Sequence, residues 1–271
     1  MAPRLPLYLD GLIASYQSGR TARWVHLGFW EQPPSAADLA QAGTFAQAQL
    51  RLNDALLAMA ALADGQRVVD VGCGLGGTLA AINGRHRNMQ LLGINIDARQ
   101  LALCRDIEAG PGNTVRWLQA DACALPLPRA SADRLLCIEA MFHFDSRERF
   151  LQEAARILAP GGRLVCSDIV WRGPALISPD EHALADAVRT GFGPWPALLH
   201  TGIDHRALAA AAGLHCVGWF DATEATLPSH VFTAPAGAAA RGPIARAAAA
   251  LAQLHRGARL AYPLMAFERS G

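Results

Sequence analysis

Three acids, one histidine and a glycine-dense turn carry the chemistry open to this sequence. In Val68-Val69-Asp70-Val71-Gly72-Cys73-Gly74-Leu75-Gly76-Gly77-Thr78, a β-branched run enters closely spaced glycines, with Asp70 two residues before the first. Glycine tolerates the positive φ of a tight strand-to-helix turn and lets a ligand press against bare backbone. A helix behind the turn aims unpaired N–H groups and its positive dipole end into it. The segment therefore suits a nucleotide-like ligand. Further along, His143 lies in Glu139-Ala140-Met141-Phe142-His143-Phe144 and Asp168 ends Cys166-Ser167-Asp168. An imidazole of pKa about 6.5 is matched to general-base work. A carboxylate beside it can orient the ring or take the proton itself. Glu139 either contacts substrate or holds its loop.

The glycine spacing admits two ligands. Gly72, Gly74 and Gly77 fit the G-x-G-x-x-G pattern of dinucleotide sites. Gly72, Gly74 and Gly76 fit an acid-x-G-x-G-x-G loop for S-adenosylmethionine. Asp70 favours the second. A carboxylate is useful beside a sulfonium and an amino group, whereas it repels a pyrophosphate.

The elements that must position these groups alternate from residue 66 to residue 170. Val68 to Val71 reads as a buried strand, 91–96 as a second, 115–118 as a third, 134–138 as a fourth and 163–170 as a fifth. Helical patterns separate them. Asp97 is a good N-cap for a helix over 98–108, and 146–158 places Phe150, Leu151, Ala154, Ile157 and Leu158 on one face. Ala159-Pro160-Gly161-Gly162 stops that helix. Strands joined this way form right-handed βαβ units and a parallel sheet, and ligands bind at the carboxyl ends of such strands. Those ends are Gly72, Asn95, Asp121, Glu139 and Asp168, each polar or glycine after an apolar run. Three segments lie outside this core. Residues 1–60 are helical and aromatic and read as a cap; residues 61–271 form the ligand-binding unit, with lid insertions at 171–204 and 223–258. The first insertion opens a helix at Ser178-Pro179-Asp180-Glu181, and the second contains an alanine-rich helix before a last strand over 260–267.

Composition narrows the functions. At 271 residues and 52% hydrophobic content, the chain supports one large α/β domain with a substantial core. A formal net charge of +1 gives no electrostatic case for nucleic acid or an anionic membrane. There is no lysine, which excludes Schiff-base chemistry. The 6 cysteines are spread singly, without C-x-x-C spacing, and the histidines show no metal spacing, so no metal site is expected. Neither a signal h-region over Met1-Ala2-Pro3-Arg4-Leu5-Pro6 nor a run of about 20 uncharged apolar residues is present, and a cytoplasmic location is expected. The sequence sets no oligomeric state.

Taken together, the motifs over residues 60–170 resemble the class I S-adenosylmethionine-dependent methyltransferases. Residues 68–78 look like motif I, Gly93-Ile94-Asn95-Ile96-Asp97 like the second-strand motif, and Gln119-Ala120-Asp121-Ala122 like the adenine-contacting turn. Arg156-Ile157-Leu158-Ala159-Pro160-Gly161-Gly162 is similar to the segment before strand five in that family. His26-Leu27-Gly28-Phe29-Trp30, with Asp221-Ala222-Thr223 and a closing strand at Tyr262, look like the small-molecule methyltransferases of bacterial secondary metabolism, which share this plan with sterol and cyclopropane-type relatives. The resemblance implies a Rossmann-like α/β fold with a mostly parallel seven-stranded sheet. It also implies S-adenosylmethionine as cofactor and S-adenosylhomocysteine as product.

By the same resemblance, Asp70 assists the cofactor's amino group, and Gly72, Cys73 and Gly74 give backbone contacts to its methionine part. Asn95 stands where an acid usually grips the ribose hydroxyls, so bonds there lack charge assistance. Ile96 packs on the adenine, Asp121 accepts from its amino group, Ala122 or Cys123 donates a backbone N–H, and Glu139 belongs with the cofactor site. Methyl transfer is an in-line displacement that needs alignment, exclusion of water and, for a hydroxyl, removal of a proton. His143 and Asp168 are the expected base pair. His26 and Trp30 are expected in a flap over the sulfonium, and Trp171 and Trp195 are expected as pocket walls. Oxygen is the favoured acceptor on a small organic molecule, then carbon, then nitrogen. Competing readings are a nicotinamide-dependent oxidoreductase, which lacks the lysine of a Tyr-x-x-x-Lys pair, and a cofactor-binding protein without catalysis.

Overall fold

In the computed structural model, residues 5, 6, 8–174, 176–234 and 241–271 are described. The expectations for residues 1–4 and 7 and for parts of both insertions (175 and 235–240) therefore lie outside the described residues. The helices are α1 (Tyr8–Gln17), α2 (Ala36–Ala40), α3 (Thr44–Ala60), α4 (Gly77–Arg85), α5 (Ala98–Cys104), α6 (Arg147–Ile157), α7 (Pro179–Phe192), α8 (His205–Ala211), α9 (Thr223–Thr226), α10 (His230–Thr233) and α11 (Pro243–Arg256). The strands are β1 (Arg67–Val71), β2 (Gln90–Asn95), β3 (Thr114–Gln119), β4 (Ala132–Cys137), β5 (Leu158–Ser167), β6 (Val170–Trp171), β7 (Leu214–Asp221), β8 (Leu260–Ala261) and β9 (Pro263–Arg269).

Seven strands form one sheet in the order β3-β2-β1-β4-β5-β9-β7. β1 to β5 run parallel, and β9 runs antiparallel to β5 and β7. The expected mostly parallel seven-stranded α/β sheet is therefore present. Successive residues of β1 face opposite layers. Val68 packs with Leu52, Leu56, Leu79 and Leu91, whereas Val69 and Val71 pack with Ile94, Leu135 and Phe150. Helices cover both faces of a sheet whose central strands are apolar on both sides, as a doubly wound fold requires.

Local chemistry sets the helix starts. Asp97 caps α5 by accepting from Arg99 N, Ser146 caps α6 by accepting from Arg149 N, and Ser178 with Glu181 forms a capping box on α7. α6 buries Phe150, Leu151, Ala154 and Ile157, the face read from its period.

Three boundaries differ from the sequence reading. α5 stops at Cys104 rather than continuing to 108. β5 begins at Leu158 and includes Pro160-Gly161-Gly162; it ends at Ser167, and the carboxylate of the next residue, Asp168, accepts from Arg147 and His205. The last strand is broken at Tyr262, whose N–H goes to Thr223 Oγ1, and β8 pairs instead with β6.

The two insertions pack on each other. Gly191 of α7 lies so close to α11 that an added Cβ would sit 2.4 Å from Ala247 Cβ. Among the described residues, none of segment 223–258 lines the cavity at the strand ends. Among the described residues of 171–204, Pro194 lines that cavity.

Candidate active site

A cavity of about 400 Å3 opens at the carboxyl ends of β1, β2 and β4, within the range of small-molecule sites. The β1–α4 turn forms its floor. Gly72 (φ +77°) and Gly74 (φ +54°) both adopt left-handed backbone. A Cβ on Gly72 would lie 2.4 Å from Ala140 Cβ, and one on Gly74 would lie 2.5 Å from Val25 Cγ2. Both the conformation and the space therefore demand glycine. Gly72 N and Cys73 N donate to Ile94 O at 2.8 and 3.1 Å, which pins the turn to β2.

Asp70 lines this cavity, is 2% exposed, and is pushed up to about 7 by burial. A buried carboxylate without a charged partner gains from a cation brought against it. That is the property the amino group and sulfonium of S-adenosylmethionine would use, so the glycine cradle and Asp70 fit this cofactor. Ile96, Asp121 and Ala122 also line the cavity, and Asp121 Oδ1 accepts from Cys123 N at 2.8 Å. Asn95 lines it too, but its amide is engaged within the protein. Nδ2 donates to Gln100 Oε1 (2.9 Å) and Gly74 O (3.4 Å), and Oδ1 accepts from Asp97 N (3.2 Å). Asn95 braces the loop, and the adjacent Gln100 is the amide of α5 that lines the cavity.

On the opposite wall, a short helical turn (Met141–His143) presents His143. Its Nδ1 lies 2.8 Å from Pro194 O. A carbonyl only accepts, so Nδ1 carries the proton and Nε2 holds a lone pair. The Tyr8 hydroxyl lies 3.3 Å from Nε2 and donates to it. The Tyr8 ring stacks on the imidazole at 6.0 Å between centroids, and Trp195 flanks it at 5.7 Å. Burial lowers the His143 pKa, so the ring is neutral near pH 7.

Glu139, at φ +50°, is pushed up to about 7 by burial. Its Oε2 accepts from Leu27 N at 2.9 Å and from the Tyr262 hydroxyl, and its own N–H donates to Ser167 Oγ at 2.9 Å. Glu139 thus ties the N-terminal segment to β4, β5 and the strand break at Tyr262.

Four expected positions lie elsewhere. Asp168 is fully buried outside the cavity. It accepts from Arg147 Nε (2.6 Å), from His205 Nε2 (2.8 Å) and from Ile169 N (2.9 Å). Burial opposes its charge, but His205 and Arg147 hold its pKa below the usual range. It does not pair with His143, because these partners saturate it. Trp30 is stacked on Phe232 and its indole N–H donates to Ser229 Oγ, so it covers no part of the cavity. Trp171 lies in β6 with its N–H on Pro174 O. Trp195 stacks on Phe142 at 4.1 Å, one layer behind His143. His26 does line the cavity, 7% exposed, with Nδ1 on Leu27 O at 2.8 Å; burial lowers it to about 4.

The sequence reading missed Tyr8, Arg23, Trp24 and Gln100, all of which line the cavity. The first three come from the N-terminal segment, where apolar periodicity gave no sign of which face meets a ligand. Gln100, five residues after Asn95, was legible only as one turn into the α5 helix.

Comparison with known proteins agrees with this geometry. A family model described as a methyltransferase domain matches residues 69–166. Over 217 residues the chain is 35% identical to "Methyltransferase GfsG" of Streptomyces halstedii, an alignment covering 78% of this chain and 73% of the relative. It is 33% identical over 170 residues to an "O-methyltransferase" of Pyrenophora dematioidea, covering 61% of this chain but only 59% of that protein. Among solved structures, a geranyl diphosphate methyltransferase in complex with S-adenosylmethionine superposes with a TM-score of 0.75 at 19% identity, covering 92% of this chain and 100% of the other.

Proposed function

We propose that this chain, which belongs to the class I S-adenosylmethionine-dependent methyltransferases, methylates a hydroxyl oxygen of a small organic molecule, with His143 as general base. The observation that carries the proposal is the fixed tautomer of His143. Pro194 O engages Nδ1, and the Nε2 lone pair receives the neutral Tyr8 hydroxyl at 3.3 Å, the place a substrate hydroxyl would take in its stead. The methyl transfer itself uses S-adenosylmethionine, which supplies an electrophilic methyl and a leaving thioether that needs no acid.

The chain's residues do the rest. The glycine turn and Asp70 hold the amino-acid end of the cofactor, and Ile96, Asp121 and Gln100 line the space for its nucleoside. His143 Nε2 accepts the proton of the substrate hydroxyl as the oxygen attacks. The Tyr8 hydroxyl at 3.3 Å marks where a donor sits on that nitrogen. Leu5, Pro6, Tyr8, Leu9, Leu12 and residues 23–26 line the cavity and shield the reacting atoms from part of the solvent. Oxygen is supported over nitrogen because a neutral, positioned base is of most use to a hydroxyl, and one relative above is itself named an O-methyltransferase. The carboxylate expected beside the base is not Asp168, which lies outside the cavity.

The test is turnover of methyl-labelled S-adenosylmethionine with a panel of hydroxylated small molecules. Wild type labels at least one acceptor, and His143→Ala loses labelling while still binding S-adenosylhomocysteine. Wild-type labelling by His143→Ala contradicts the assignment.

A further inference from the structure

On the His143 side the cavity is lined by acceptors. Among the described residues, His143 Nε2 accepts from the Tyr8 hydroxyl alone, at 3.3 Å, a bond that a substrate hydroxyl would replace, since the ring N–H is engaged by Pro194 O. Glu139 Oε2 is engaged by Leu27 N and the Tyr262 hydroxyl, and Oε1 has no protein partner among the described residues. Asp145 adds an exposed carboxylate that likewise has no partner among the described residues. The charged donor at hand is committed, and the Tyr8 hydroxyl is neutral. The Tyr8 hydroxyl points to His143 Nε2 at 3.3 Å. Arg23, the cation that lines the cavity among the described residues, donates to Leu75 O and Leu103 O at 3.1 Å each and to Asp106 at 2.5 Å. The remaining wall toward solvent is apolar, from Leu5, Pro6, Leu9, Leu12 and Val25.

From this pattern we infer that the acceptor substrate is an uncharged apolar molecule with at least two hydroxyl donors, and that the site rejects carboxylates and phosphates. The inference rests on the reading of this cavity as the methyl-transfer site. One hydroxyl donates to His143 Nε2 and is methylated; a second donates to Glu139 Oε1 and fixes which oxygen faces the methyl. An anionic group placed here meets acceptors and carboxylates and finds no uncommitted cation, so it loses its water without replacement. A lone hydroxyl leaves one acceptor unmatched.

Matched amphiphiles test this on the protein saturated with S-adenosylhomocysteine. Calorimetric titration with octane-1,2-diol, 1-octanol, octanoate and octyl phosphate reads the preference directly. The expected order is diol first, octanol about tenfold weaker through loss of one hydrogen bond, and both anions weaker still. Glu139→Gln and, separately, Asp145→Asn narrow the gap between octanoate and the diol. Octanoate or octyl phosphate binding within about tenfold of the diol, or a diol that gains nothing over octanol, overturns the inference. Binding of S-adenosylhomocysteine in the same experiment keeps the two readings apart. Its absence contradicts the methyl-transfer site, whereas its presence with the wrong probe order contradicts only the substrate class.

Discussion

Arg147 and Asp168 form a buried pair, with Nε 2.6 Å from Oδ2 and Nη2 3.1 Å from Oδ1. The pair joins the first turn of α6 to the end of β5, and His205 completes it from α8. Removing one member of a buried pair typically costs about 3–5 kcal/mol, because the other charge is left uncompensated. Asp168→Asn is therefore expected to lower the melting temperature clearly. Turnover per folded molecule should stay near wild type, because the carboxylate does not reach the cavity. A variant that melts normally but has lost kcat would return Asp168 to the chemistry.

His143→Ala is expected to reduce kcat by about 100-fold or more, the typical contribution of a positioned base. Affinity for S-adenosylhomocysteine should not change. Because burial holds His143 below the ordinary histidine range, wild-type kcat at saturating cofactor should fall only as pH drops below that range and stay level through neutrality. A rate that still climbs between pH 7 and 9 would argue for a different base.

Cofactor affinity should depend on pH through Asp70. Its carboxyl is raised to about 7 by burial, and a cationic ligand favours the ionised form. Binding of S-adenosylmethionine therefore releases a proton and tightens as pH rises toward 8, by up to about tenfold per unit below the pKa. Glu139 titrates in the same region, so Asp70→Asn is the control. It should bind more weakly and lose most of the dependence. Calorimetry in buffers of different ionisation enthalpy measures the released proton.

A second acid response concerns stability. His230 Nε2 lies 2.8 Å from His255 Nδ1, and His255 Nε2 donates to Thr223 O at 3.1 Å, so the buried pair shares neutral tautomers. Burial lowers His230 to about 3 and His255 to about 4. The unfolded chain, with histidines at about 6.5, binds more protons in this interval. The pair's contribution is thus complete above about pH 6.5 and is lost as pH falls toward 4. Urea unfolding at pH 7 and pH 5 should show this loss in wild type and a smaller one in His230→Asn. Equal losses would remove the pair as its source.

Where chemistry was local, the sequence was readable. The β1 run, the glycine turn and the caps at Asp97 and Ser178 each depend on a few adjacent residues, and each lies where its spacing put it. Period alone identified the buried face of α6. Long-range partnership was not readable. Asp168 ends an apolar strand as a catalytic acid would, yet Arg147 lies 21 residues away and His205 lies 37 away. Trp30 follows a motif near the cleft, but Ser229, 199 residues later, claims its N–H. The same holds for Tyr8, whose hydroxyl meets His143 across 135 residues. Asn95 ends β2, where the sequence put a strand end, while Gln100 and Gly74 decide what its amide does.

The central claim is that one cavity holds S-adenosylmethionine on the glycine turn and the acceptor against His143. A crystal structure with S-adenosylhomocysteine tests it most directly. The account predicts the amino group beside Asp70, the adenine between Ile96 and Asp121, and the sulfur facing the space in front of His143 Nε2. A nucleoside bound away from the glycine turn, or a sulfur turned from His143 with that residue walled off, would contradict it.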